Sequence, residues 1–189
     1  MRYILYIASL LTIGVVVFVS CKKYKDPAPY TDPRLTTHYC NDPNAANYNV
    51  GFPGTPDNTV CIYPRDLFVG KWVYRDSVYQ TESGRFLFSD SFMLTISPVG
   101  SSLTKIIVKG FCPSGANIYM TSSPIYEASI DSLIGDTTTI YRGQTLCRIK
   151  DTISGSMTKD RVDSTILHVA FQVVSDTGIT THTGFAKKQ

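Results

Sequence analysis

Charge is thin in this chain: Asp, Glu, Lys and Arg make up 17% of 189 residues and sum to +3. No basic stripe gathers anywhere along it, and phosphate recognition needs one, which argues against nucleic acid as a partner. Histidine is rarer still. His38, His168 and His182 are far apart and none belongs to a His-x-His or His-Glu-x-x-His spacing, so the signature of a catalytic metal is missing. Phosphate loops and dinucleotide fingerprints are absent as well. The nearest string to a serine nucleophile elbow, Ile153-Ser154-Gly155-Ser156-Met157, lacks the first glycine and reads as a turn or bulge in a strand pattern. Asp76, Asp90, Glu127 and Asp131 are available to pair as carboxylates, but nothing in the sequence singles out two of them. The expectation is a protein that is not an enzyme and carries no cofactor.

Helical periodicity is also missing. Beyond the N-terminus the chain is poor in Ala, Leu and Glu and rich in Thr, Ser, Tyr, Ile and Val, which is the composition of sheet. The one long apolar run is N-terminal: after Arg2, residues 3–19 are almost unbroken in hydrophobicity and end in Phe18-Val19-Ser20-Cys21. A small residue before cysteine is what a membrane peptidase requires to cut beside a lipid-modified thiol. Residues 1–20 therefore resemble a lipoprotein signal peptide, and the loose box followed by Lys22-Lys23 is similar to those of Bacteroidetes lipoproteins. An uncleaved span is the alternative, because the run just reaches membrane-crossing length. The resemblance implies lipidation at Cys21 and an outer-membrane lipoprotein. The residues after Cys21 lack the acidic cluster that resembles a surface-export tag in these bacteria, which favours the periplasmic side. Residues 21–37 carry three prolines and no apolar period, the character of an extended tether.

Four cysteines remain once Cys21 is set aside, an even number suited to an oxidising compartment. Four allow three connectivities. Cys40 and Cys61 share a compact segment, which favours Cys40 with Cys61 and Cys112 with Cys147, each worth about 3 to 4 kcal/mol by loop entropy. Residues 38–64 hold Cys40-Asn41-Asp42-Pro43-Asn44-Ala45-Ala46-Asn47-Tyr48-Asn49 and, later, Cys61-Ile62-Tyr63. This resembles a short disulfide module of secreted Bacteroidetes proteins, with Pro56-Asp57-Asn58-Thr59-Val60 where an Asp-Asp-Gly-Ser run is usual. Asp42, Asn47 and Asp57, with Asn49 and Asn58, offer hard oxygen ligands of the kind Ca²⁺ takes. Asn and Asp also cap turns by bonding their own backbone, and that reading is favoured here.

Residues 65–189 alternate apolar and polar in short segments separated by turn signals, as an antiparallel meander does. Trp72, Tyr74 and Val78 share one face of the first segment; Phe86, Phe88, Phe92, Leu94 and Ile96 share one face of the next. Further strands are expected at 103–111, 117–121, 125–130, 137–141, 146–157, 164–175 and 179–187. A hairpin turn at Asp176-Thr177-Gly178 pairs His182 with Gln172 and leaves His168 further along, and these histidines are expected on the surface or rim. The fold class is all-β, about eight antiparallel strands in a closed barrel or, alternatively, a β-sandwich. Gly70-Lys71-Trp72 resembles the Gly-x-Trp start of lipocalin-like domains, and Gly184-Phe185-Ala186-Lys187-Lys188-Gln189 resembles the closing strand of Bacteroidetes lipoproteins of that kind. The resemblance implies a barrel floored by Gly70 and Trp72. Its partners would be the membrane, through the lipid, and a small apolar ligand, a glycan or an envelope protein. A structural or adhesive interaction module is the main alternative, and an inhibitor of an envelope hydrolase a third. Mass spectrometry of the native N-terminus tests the anchor: the mature chain should begin at an acylated Cys21, and a chain retaining Met1 with a free thiol at position 21 would overturn it.

Overall fold

The computed structural model describes residues 30–49, 53–112, 116–132, 143–148 and 151–189. The signal peptide, Cys21, most of the tether and the strand expected at 137–141 lie outside the described residues. The chain divides into two units, Met1–Leu35 and Thr36–Gln189. In the first, Asp32 and Arg34 form an ion pair of 2.6 Å at the surface. The second holds the sheet and both disulfides.

Alternation of apolar and polar residues produces strands wherever one face can be buried. After the short parallel pair β1 (His38–Tyr39) and β2 (Thr55–Pro56), the strands are β3 (Gly70–Gln80), β4 (Phe86–Pro98), β5 (Lys105–Lys109) and β6 (Ile118–Ser122). There follow β7 (Glu127–Ile130), β8 (Gln144–Thr145), β9 (Thr152–Lys159), β10 (Ile166–Ser175) and β11 (Gly178–Lys188). Consecutive strands pair antiparallel from β3 to β7, β7 pairs with β9, and β9 with β10. β11 lies between β10 and β3, in register from Thr180 opposite Gln80 to Lys188 opposite Trp72. Eight strands thus close into a barrel, with β8 added at β9, and the sandwich alternative falls because the first and last strands are hydrogen-bonded to each other.

The core is the inward set of these strands. Trp72, Tyr74, Leu94, Ile106, Met120, Met157, Leu167 and Phe171 are all buried in one cluster. At its base Trp72 is completely buried and donates its indole N–H to the Phe68 carbonyl at 2.8 Å. The ammonium groups of Lys159 and Lys188 stand 5.9 and 5.5 Å from the centre of its ring. Lys159 also donates to the Leu67 carbonyl at 2.5 Å. Burial pushes the Lys159 ammonium below the ordinary lysine value, and the charge of Lys188 adds to this. Gly70, at φ +144°, turns the chain out of the preceding 3-10 turn (Pro64–Leu67) into β3 beside the Lys188 stem.

Several expectations are corrected. The run expected as a single strand from 146 to 157 is a hairpin instead: Gln144 and Thr145 pair back onto Ile153 and Thr152, and Leu146 N–H donates to the Asp151 carbonyl at 2.8 Å. Ser154-Gly155-Ser156 is neither turn nor bulge, because β9 runs against β10 without a break in register from Thr152 to Lys159. A bulge does occur, between Val78 and Tyr79, where the partner register slips from Phe88 to Phe86. One added residue reverses the face, so Phe86 leaves the interior side and its ring meets Tyr79 at 5.6 Å.

Strand lengths are uneven. β3, β4, β10 and β11 have 11, 13, 10 and 11 residues, whereas β5, β6 and β7 have 5, 5 and 4. The short strands complete the barrel at the Trp72 end, and the long ones continue beyond it as a curved wall. Along that extension β4 meets β5 only from Thr95 to Pro98, leaving Phe86, Leu87 and Phe88 exposed. A buried amide fills one gap in the ladder: Gln144 donates to the carbonyls of Tyr119 and Asp131 and accepts from Tyr119 N–H, doing for β6 what a neighbouring strand would do.

Gly155, opposite Phe171, lies at φ +128°, and a Cβ there would be 2.3 Å from the Ala170 carbonyl oxygen. Strain and the clash act together. Gly155→Ala should lower unfolding stability by about 2 kcal/mol or more, read as a reduced urea midpoint with unchanged slope.

Candidate functional site

Where the long strands outrun the short ones, a pocket of about 170 Å³ opens into the barrel. Its walls come from most of the circumference: Asp76 on β3, Phe88, Asp90 and Phe92 on β4, Ile153 on β9, Phe171 and Val173 on β10, His182 on β11, and Phe111 and Leu146 from the connections. The apolar part is a chain of edge-to-face rings. Tyr74 meets Phe92 at 5.3 Å, Phe92 meets Phe111 at 5.7 Å, and Phe111 meets Phe171 at 5.2 Å between centroids. Edge-to-face contacts fix these rings in place beyond what area burial achieves.

The polar part follows from register. Asp76 stands opposite Gly184 on β11 and opposite Asp90 on β4. Gly184 has no side chain to fill the space, so the Asp76 carboxylate reaches the diagonal neighbour His182, with Nδ1 at 2.6 Å from Oδ2. Tyr74 donates its hydroxyl to the other oxygen, Oδ1, at 2.8 Å. His182 Nε2 lies 3.1 Å from Thr180 Oγ1. Asp76 is 4% exposed, and the bonds from Tyr74 and His182 satisfy a carboxylate that would be costly to bury alone. Burial, then the Asp76 charge and the hydrogen bond to it, hold the Tyr74 hydroxyl well above its ordinary pKa.

A hydroxyl, an imidazole and a carboxylate in series are the parts of an acyl-transfer triad, but the backbone of β11 offers no free oxyanion donor beside them. β11 is hydrogen-bonded on both sides, to β10 and β3, so the backbone N–H groups around Thr180 are consumed in the ladders. The arrangement is suited to holding a ligand's polar group.

His182 was placed on the surface or rim by the sequence, and the structure turns it inward. The final hairpin closes through Asp176 and Thr177 alone, with Ser175 opposite Gly178. Its register therefore sets His182 against Phe171, and Thr181 against Gln172. A one-residue difference exchanges the two faces of a strand. His168 is exposed and bonds Asp160 at 3.2 Å, and His38 bonds Asp57 at 2.9 Å. Of the four carboxylates left open by the sequence, Asp76 and Asp90 come together. Asp131 instead binds Lys105 at 2.8 Å and accepts from Thr121.

None of the other described site residues lines the pocket, although Cys112 and Cys147 each adjoin a residue that does. Cys40 is joined to Cys61 and Cys112 to Cys147, the pairing the sequence favours. Asp42 accepts from Asn44 and, at 3.0 Å, from the Tyr63 hydroxyl. Asp57 accepts from Thr59 at 2.8 and 2.6 Å. The backbone N–H of Asn44 lowers the Asp42 carboxyl below its ordinary value, and the Thr59 hydroxyl does the same for Asp57. Asn47 acts as a substitute peptide, donating to the Val60 carbonyl and accepting from Ile62 N–H, both at 2.8 Å. The three candidate Ca²⁺ ligands thus shape turns, and among the described residues no cluster of three His, Cys, Asp or Glu side chains is arranged to hold a metal.

No family model and no curated protein matches the chain. Two of the solved structures similar to it show the kind of likeness. One is EF1p2_mFAP2b bound to DFHBI, at 16% identity and a TM-score of 0.40, covering 67% of this chain and 98% of that one. The other is a protein of unknown function from the DUF3598 family of Nostoc punctiforme, at 9% identity and a TM-score of 0.42, covering 66% of this chain and 49% of that one. The chain therefore spans about half the length of the second. Likeness at this level carries nothing about the chemistry of the pocket, which rests on the geometry above.

The Tyr74 hydroxyl stays neutral in the fold while an unfolded chain ionises near pH 10, so its contribution to stability is complete below that pH and is lost as pH rises past it. In an alkaline absorbance titration Tyr74 should ionise only together with unfolding. Tyr74→Phe should abolish that late component. Ionisation of Tyr74 alongside the exposed tyrosines would show the hydroxyl to be accessible.

Proposed function

We propose that this protein is a membrane-anchored lipoprotein of the cell envelope, non-enzymatic, whose barrel binds a small ligand with a mainly apolar body. The observation that carries the binding role is the pocket of about 170 Å³, walled by phenylalanines and closed on one side by the Tyr74–Asp76–His182 chain. Apolar concavities with a few converging polar groups are the usual form of small-molecule sites. Size narrows the class: a cavity of about 150 Å³ accommodates benzene, so this one suits a single ring or an equivalent aliphatic body, not a long acyl chain. The anchor rests on the hydrophobic leader ending in Ser20-Cys21 and on the two disulfides, which suit an oxidising compartment outside the cytoplasm. On this reading the barrel retains its ligand close to the membrane, in the periplasm.

Single-ring compounds should raise the stability of the protein, by about 1.4 kcal/mol at ten times their Kd. Fatty acids of a dozen carbons or more should not. Val173→Phe, which fills the pocket from β10, should fold and abolish the effect. A protein indifferent to every single-ring compound, or one stabilised equally in the filled variant, would overturn the reading.

A further inference from the structure

The pocket has a charge that its ligand must answer. Although the whole chain carries +3, the residues around this cavity include two aspartates and no Lys or Arg. Asp76 and Asp90 occupy directly opposed positions on β3 and β4 and face the same side. Like charges at cross-strand partners repel, and a fold retains them at a cost unless a cation comes between them. His182 stands against Asp76 and, when protonated, balances that one carboxylate. Asp90 has no such ion-pair partner among the described residues. Among the described residues its hydrogen bond comes from the backbone of Ser91, at 2.7 Å, and no Lys or Arg forms an ion pair with it.

The surroundings of Asp90 are aromatic. Phe88 and Phe92 lie two residues to either side on the same strand, which is about 7 Å along β4 in each direction and on the same face. Phe92 leads inward through its contact with Phe111 to Phe171. Carboxylate and aromatic faces together are the chemistry that recognises an organic ammonium: the anion meets the charge, and the ring faces meet the polarised N–H or N–CH₃ groups. An inorganic cation has no use for the phenylalanines, and a neutral ring has none for the unpaired carboxylate.

We infer that the ligand is a small primary or quaternary organic ammonium, its cationic head at Asp90 beside Asp76 and its single-ring or short aliphatic body among Phe92, Phe111 and Phe171. This deepens the ligand-binding reading above and rests on it. It gives Asp90, exposed at the mouth, the selecting role, and gives the deeper rings the task of holding the body.

Three compounds of nearly equal shape separate the two ideas: benzylammonium, benzyl alcohol and benzoate, each titrated calorimetrically into the full chain. Benzylammonium should bind at least tenfold more tightly than benzyl alcohol, and benzoate should not bind detectably. Asp90→Asn, an exposed substitution that leaves the buried Asp76 network intact, should lower benzylammonium affinity to that of the alcohol while leaving the alcohol unchanged. Equal or tighter binding of the alcohol or of benzoate, or a preference that survives Asp90→Asn, would overturn the ammonium assignment and leave the small-ligand reading standing. Failure of all three to bind would remove both.

Discussion

The pairing of β11 with β3 governs this structure. Without it the sheet would end in two long exposed edges, each a template for unwanted strand addition. With it the inward faces of eight strands share one core, and Trp72 at the base becomes inaccessible to water. The same pairing places Gly184 opposite Asp76 and His182 opposite Val78, and so creates the polar side of the pocket. Closure and site arise from a single set of backbone hydrogen bonds.

Much of this was legible in the sequence, because alternation with a buried face is a strong signal. The inward set Trp72, Tyr74 and Val78 lies on the face its spacing assigns. The number of barrel strands was legible too. Errors arose where one residue decides parity. A turn of two residues instead of three turned His182 from outside to inside, and a single bulge at Val78–Tyr79 turned Phe86 the other way. Periodicity cannot count turn residues. Asp76 was hidden for another reason: an acidic residue at an inward position looks like an interruption until its partners on other strands are known. Gln144, whose amide replaces missing ladder bonds, carried no local signal at all.

Uneven strand length divides the barrel into two regimes. At the Trp72 end short and long strands alike contribute, and the interior is packed with Leu94, Ile106, Met120 and Met157. Beyond the reach of β5 to β7 no matching strand completes that packing among the described residues, and phenylalanines of the long strands line the pocket. A void of this kind ordinarily weakens a core. Here its lining is kept in order by ring-on-ring contacts and by the bonds from Tyr74 and His182 to one carboxylate.

The bridge between Cys112 and Cys147 has a further consequence. Phe111 and Leu146, each adjacent to one of these cysteines, are the two lining residues that belong to no barrel strand. The wall they form is therefore stitched by the bridge, beside a single backbone bond from Leu146 N–H to the Asp151 carbonyl. A thiol-reducing milieu would leave the barrel's own pairing untouched while severing that stitch. The shape of the cavity is thereby tied to the redox state of the chain.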